Sequence, residues 1–250
     1  MVTIENSKEM ANFPKCRGVK AYMDVYWTLD HTRMVGVLNA QVPELALKNK
    51  PISETGYHIC PAFRDYFHNV YGWKAMYDYS LEKSVDGNEY LYNARNQDIW
   101  EYYIRSVDEQ VITIYQAISF VTDSPSLKVS QEHPYFEDNK FTSSCYVIPG
   151  TIDIGKYYRC LDFAFRIKKN HSRAAFDAGD IIYYLRFHTP EKINFKQYFM
   201  SDKLREYDIM IQEIKASVAS SPRPLSFFYD KYKKFNLKSK VMKEIKKNLI

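Results

Sequence analysis

By residue type and spacing, the pair best able to do chemistry is Cys60 with His58, just ahead of a segment, Pro61 to Tyr71, that carries helix-start signals. A thiol at the N-cap of such a helix would sit at the positive end of the aligned peptide dipoles, which favours thiolate and so a nucleophile. On an extended backbone His58 would project to the same side and serve as its base. Against this, residues two apart rarely adopt the geometry of a catalytic pair, and no third group is in view to orient the imidazole. Cysteine is also among the most buried residue types, so an ordinary packed thiol is the weightier explanation.

The other chemistry-bearing residues spell out less. The six histidines are His31, His58, His68, His133, His171 and His188, and none begins a His-x-Asp, His-x-Glu or His-Glu-x-x-His motif. No metal site is therefore assigned; a scattered set such as Asp30 and His31 with His133 and His188 is the alternative that distant positions leave open. Neither G-x-G-x-x-G nor G-x-x-x-x-G-K-[ST] occurs, and 8 glycines leave little material for a phosphate-cradling loop, so no cofactor is expected. Near the C-terminus Lys233, Lys234, Lys238, Lys240, Lys243, Lys246 and Lys247 interleave with aromatics such as Tyr232 and Phe235. Clustered lysines release counterions from nucleic acids or other anionic surfaces, and aromatics stack on bases. A lysine-rich face is equally the solvated side of a docked helix.

The elements that would position these groups follow from periodicity. Pro61 fits the first turn of a helix and Gly72 a helix exit, which predicts about three turns between them, with Phe63, Phe67, Val70 and Tyr71 on one face. Trp73 to Leu81 then reads as a strand, and Asp86-Gly87 predicts a hairpin joining it to a strand around Tyr90. Val19 to Trp27 alternates, with Val19, Ala21, Met23, Val25 and Trp27 on one face. Val42 to Leu47 suggests a short helix opened by Pro43. Arg95 to Asp108 is ambiguous between helix and strand. Val111 to Val121 reads as a strand, Leu127 to Phe136 as extended, and Ile152 to Ile154 as a short strand or bulge. Leu161 to Lys168 and Ile181 to His188 both alternate, which suggests an antiparallel pair joined by a polar surface loop, Lys169 to Asp180, with Arg166, Arg186 and His188 facing away from the deepest core. After Thr189 the pattern turns helical: Ser201-Asp202 caps a stripe of Leu204, Tyr207, Ile211, Ile214 and Val218, and Val241, Met242, Ile245 and Leu249 mark a second apolar edge.

A chain of 250 residues, 46% apolar and 16% aromatic, has ample material for a core. No run reaches the roughly 18 apolar residues of a membrane span, and Glu5, Lys8, Glu9, Lys15 and Arg17 leave no apolar stretch for a secretion signal. The 4 cysteines are scattered, which predicts reduced thiols in a cytoplasm. A formal charge of +5 is modest for this size. Lysine-, tyrosine- and asparagine-rich usage with little glycine accords with an AT-rich genome.

The blocks Ile59 to Tyr66, Ile148 to Arg159 and Leu161 to Phe165 resemble those of uncharacterised proteins of T4-like phages of marine cyanobacteria, a likeness spanning Val19 to Phe187. It implies a viral protein and carries no activity. The expectation is an α+β protein: an arm over 1–18, a mainly antiparallel sheet or sandwich with a packed helix over 19–224, and a basic helical tail over 225–250. In function, a viral accessory or host-interaction protein with a protein partner, acting in the cytoplasm of the infected cell, is favoured over a virion component or an enzyme built on Cys60 or scattered metal ligands. The basic tail would be its contact for nucleic acid.

Overall fold

Alternation along Tyr22–Leu29 sends Val25, Trp27 and Leu29 to one side and Tyr26 and Thr28 to the other, and all five are buried. A strand covered on both faces needs two separate apolar layers against it, and the rest of the molecule supplies them. A computed structural model of the chain describes residues 22–29, 43–46, 60–83, 90–92, 102–106, 111–158, 160–219 and 225–250. In chain order the elements are β1 (Tyr22–Leu29), β2 (Glu44–Leu45), α1 (Pro61–Phe67), β3 (Val70–Lys74), β4 (Tyr79–Lys83), β5 (Tyr90–Tyr92), β6 (Tyr102–Ser106), β7 (Val111–Val121) and β8 (Lys128–Glu132). They continue with α2 (Lys140–Ser144), β9 (Cys145–Val147), β10 (Gly150–Asp153), β11 (Cys160–Ile167), β12 (Arg173–Phe176), β13 (Ile181–Phe187), β14 (Lys192–Gln197), α3 (Asp202–Ala219), α4 (Leu225–Lys234) and α5 (Leu237–Lys247).

One sheet runs β14-β1-β7-β11-β9, with β6 also on β7; a second runs β10-β8-β13-β3-β2; a small third is β12-β4-β5. Among the described residues β1 and β14 run parallel and the other strand pairs antiparallel. The first two sheets face each other. Trp27, Ile114, Phe120, Phe163 and Phe165 of the first meet Tyr71, Trp73, Val129, Tyr183, Leu185 and Phe187 of the second in one cluster. Trp27 and Trp73 meet edge to face at 6.4 Å, and Phe163 lies 5.1 Å from Tyr183 across the gap. Each ring so buried contributes roughly 2–3 kcal/mol. This is the mainly antiparallel α+β sandwich expected from the sequence.

The outer face of the first sheet is sealed by the C-terminal helices. Tyr26, Val121 and Tyr158 pack with Leu204 and Ile211 of α3, Tyr232 of α4, and Val241, Met242 and Ile245 of α5. Ser201 caps α3 by accepting the Leu204 N–H at 3.4 Å, as its sequence position suggested. Thr28, on this same face, donates its hydroxyl to the Tyr198 carbonyl at 2.7 Å. Lys238 on α5 donates to the carbonyls of Ser124, at 2.6 Å, and of Gly155, which pins the helix to the ends of β7 and β10.

Several expectations are corrected. The Pro61 helix stops at Phe67 rather than Tyr71, because Asn69 takes φ 56° and turns the chain straight into β3. Gly72 is then a mid-strand residue opposite Tyr184 and Glu44, and a Cβ there would lie 2.7 Å from Ile181 Cδ1; the glycine serves close approach, not a helix exit. The proposed Pro43 helix is β2, since so short a segment gains more from the open edge of β3 than from an isolated turn. The supposed loop 169–180 contains β12, which pairs with β4 and stacks Phe176 on Tyr79 at 4.9 Å. Leu161–Lys168 and Ile181–His188 do not pair. They stand in opposite sheets, facing across the core. β4 and β5 pair as the Asp86-Gly87 signal implies, although 84–89 lie outside the described residues, as do Val19 to Ala21. The ambiguous Arg95 to Asp108 stretch contains β6, and its other residues lie outside those described.

Candidate binding face

Register puts a polar row on the outside of the second sheet. β8 and β13 align Tyr184 with Glu132 and Arg186 with Ser130, and because Val129, Leu185 and Phe187 point inward these four point outward. α1 lies across part of this face, burying Phe67 against Val70 and Tyr184. At its exposed side Phe136 closes on Phe63 and Phe67, with ring centroids 5.6 and 5.3 Å away.

Beside that apolar patch runs a hydrogen-bonded chain. The Tyr66 hydroxyl donates to Glu132 Oε2, and the Arg186 guanidinium stands 4.3 Å over the Tyr66 ring and 3.9 Å from Glu132 Oε1. Burial first, and then the bond to Glu132, push the Tyr66 phenol above its ordinary range. Tyr184 donates to Glu137 at 3.0 Å. Farther along, the Ser130 hydroxyl lies 2.7 Å from the Thr151 hydroxyl and 2.7 Å from His188 Nε2. Burial, followed by the charges of Arg186 and Lys128, holds His188 below its usual value, so its imidazole is neutral at pH 7.

The row continues over the turn after β8 to the edge of the first sheet. His133 lies 5.8 Å from both the Tyr135 and the Tyr146 rings. The Val147 N–H donates to His133 Nδ1 at 3.4 Å, and burial with the nearby Lys168 charge lowers this imidazole too. Lys168 stands 4.6 Å over Tyr146 while donating to the carbonyls of Thr142, at 2.7 Å, and Ser143, at 3.0 Å; Arg166 is 6.0 Å from the same ring. Tyr135, Phe136 and Tyr146 are 58%, 40% and 46% exposed, the first two in the turn after β8 and the third on β9. The arrangement offers flat ring faces next to hydroxyls, imidazoles and paired charges.

A serine hydrogen-bonded to an imidazole is also half of a hydrolytic triad. Here Ser130 is shared with Thr151, and among the described residues no carboxylate is hydrogen-bonded to His188.

The residues singled out from sequence are dispersed. Cys60 occupies the N-cap of α1 and is exposed, with no side-chain hydrogen bond to the helix; His58 lies outside the described residues. Cys145 and Cys160 are buried, and burial pushes the Cys145 thiol up to about 12. Of the scattered metal set, Asp30 and His31 lie outside the described residues, and no group of three or more His, Cys, Asp or Glu able to hold an ion occurs among those described. Lys233, Lys234, Lys240 and Lys243 are exposed on α4 and α5, whereas Lys238 is engaged with carbonyls, Lys246 with Asp123 at 3.2 Å and Lys247 with Glu244 at 3.0 Å. Arg166 and His188 are exposed and Arg186 half-buried, all away from the core as their alternation implied. Among the described residues no helix is long and apolar enough to cross a membrane.

Sequence reasoning passed over the aromatic row itself. The signal was present in Pro134-Tyr135-Phe136, two large rings in a turn where turn-forming chemistry needs neither. No protein-family model matches the chain, and no curated protein matches it.

Proposed function

We propose that this chain is a non-catalytic interaction protein, made by a virus of the T4-like kind its sequence blocks resemble and acting in the infected cell through the aromatic rings of the turn after β8 and of β9 beside it. The observation that carries the reading is the exposure of Tyr135, Phe136 and Tyr146, linked through His133, which lies 5.8 Å from both the Tyr135 and the Tyr146 rings. Exposed rings in a fixed frame lose little entropy on binding, which is why aromatics anchor contact surfaces. The test mixes tagged protein with a lysate of a cyanobacterial host and follows its elution by size. The wild type is expected to elute as a larger species, and the Tyr135→Ala/Phe136→Ala/Tyr146→Ala variant at the position of the isolated chain. Elution of both at that position rejects the reading.

A virion component is the second reading, and it has its own support. Phe199, Leu249 and Ile250 are 57%, 43% and 81% exposed side by side where residues 248–250 bond back to β14 and its extension. A self-interface on that patch would make the purified protein oligomeric, and sedimentation of Ile250→Asp beside the wild type checks it.

A further inference from the structure

We infer that the exposed side of α4 and α5 is a contact surface for the phosphate backbone of nucleic acid, separate from the aromatic rings. Residues 225–250 hold eight lysines against two carboxylates, Asp230 and Glu244, a net +6 where the whole chain carries +5. The rest of the chain is close to neutral, so the positive charge is concentrated in this segment. Packing decides which way that charge points. Leu237, Val241, Met242 and Ile245 turn one face of α5 toward the first sheet, which leaves Lys240, Lys243 and Lys247, three and four residues apart, in line on the solvent side. Lys233 and Lys234 end α4 beside Phe235, which is 61% exposed in the turn between the helices. Among the described residues Lys233, Lys234, Lys240 and Lys243 carry no ion pair. Of the carboxylates that α5 carries or bonds, Asp123 is paired with Lys246 at 3.2 Å and Glu244 with Lys247 at 3.0 Å. Glu244 is held below its ordinary range by that bond first, with the charge of Lys203 on α3 contributing.

Three kinds of partner carry enough negative charge to complement this side, and what surrounds the lysines separates them. An acidic protein is the poorer fit, because protein interfaces are depleted in lysine and close around an apolar centre. Among the described residues Phe235 is the single large apolar side chain exposed from Leu225 to Lys247. Leu249 and Ile250 lie past the far end of α5, roughly 15 Å along the helix, where the chain bonds back to β14 and its extension. An anionic bilayer holds a basic helix firmly when the apolar face of that helix enters the interface, and the apolar face of α5 is already buried on the sheet. A nucleic acid requires neither. Its phosphates pair with point charges and release counterions, and one exposed ring suffices to stack on an unpaired base.

The experiment is fluorescence polarisation of the full chain with a labelled thymidine oligonucleotide and a mixed-sequence DNA duplex, beside labelled polyglutamate and co-sedimentation with phosphatidylserine vesicles. The single strand is expected to bind at about 50 mM salt and, with about four phosphates neutralised, to lose roughly fiftyfold in affinity by about 200 mM. Lys240→Glu/Lys243→Glu should weaken binding at least about tenfold and flatten the salt dependence, at unchanged melting temperature. Lys233→Gln/Lys234→Gln should act in the same direction from the other helix. Phe235→Ala should weaken the single strand and spare the duplex. Tyr135→Ala/Tyr146→Ala should bind the strand as the wild type does, which tells this surface apart from the aromatic rings. Failure of both strand and duplex to bind at about 50 mM salt overturns the inference. So does binding that survives both lysine variants with its salt dependence intact, or that is lost in the tyrosine variant. Polyglutamate or vesicles held as tightly as the strand would point to an acidic protein or a bilayer and overturn it as well.

Discussion

The two outer faces of the sandwich are built on the same plan and finished differently. On the first sheet Tyr26, Val121 and Tyr158 are roofed by three helices, and two tyrosine hydroxyls inside that roof are used there: Tyr198 donates to Tyr158 at 3.4 Å, and Tyr158 reaches the Met200 thioether at 3.7 Å. On the second sheet a single seven-residue helix covers Val70 and Tyr184 and leaves the paired charges of Glu132 and Arg186, and the rings of the turn after β8, beside it. The difference teaches where each kind of aromatic residue spends its energy: under the roof in stability, and on the open face, in the proposed reading, in contact.

Removing an apolar side chain from beneath the roof tests this with the largest effect. Ile245→Ala should cost roughly 2–5 kcal/mol, read as a lower melting temperature and denaturant midpoint; a loss below about 1 kcal/mol would mean the helices only rest on the sheet. Alkaline titration comes next. Burial, the leading cause, raises the phenols of Tyr158, Tyr198 and Tyr232 above their ordinary value. Groups raised in the folded state give stability that is complete below about pH 10, the unfolded value, and is lost as pH climbs through the folded ones. Melting temperature should therefore fall steeply above about pH 10, with tyrosinate absorbance from these residues appearing only as the roof unfolds.

Smaller effects sharpen the contrast. Lys238→Met removes the donor to Ser124 and Gly155 and should cost about 1–3 kcal/mol by leaving those carbonyls unpaired beneath α5. Asn139→Ala breaks the reciprocal cap with Thr142 at the start of α2, which belongs to neither face, and should cost about 1 kcal/mol. Tyr135→Ala on the open face should shift stability by less than about 0.5 kcal/mol while weakening binding. If it instead destabilises as much as the Asn139 change, the open row is structural and the contrast between the faces fails.

Much of the frame was legible because its signals are local. Alternation marks β1, β7, β11 and β13, and the stripe of Leu204, Tyr207 and Ile211 marks α3. What local pattern could not state is which sheet a strand joins: β11 and β13 look like neighbours in sequence and stand on opposite walls, because each pairs with strands distant in sequence, β11 with β7 and β13 with β3 and β8. β12 was hidden because only Ala174 and Phe176 of a polar run turn inward, toward a strand nearly a hundred residues earlier. The end of α1 was misjudged because the pull of an open sheet edge on Val70 outweighs its helical spacing. Among the site residues Cys60 was placed correctly at a helix start, yet the aromatic row draws on α1, β8, the following turn, β9 and β13 at once. No single window of sequence contains enough of it to be seen.

The parallel union of β1 with β14 has a consequence for how the molecule is made. Thr28 and Tyr198, joined by a hydrogen bond, are 170 residues apart. A nascent chain leaving the ribosome must therefore carry β1 with one ladder edge bare, and Tyr26 without its cover, until the last strand and then the helices emerge. Such long-range closure makes folding slow and leaves a sticky intermediate exposed, so production in cells with ample chaperone capacity, or at reduced temperature, should raise the soluble yield.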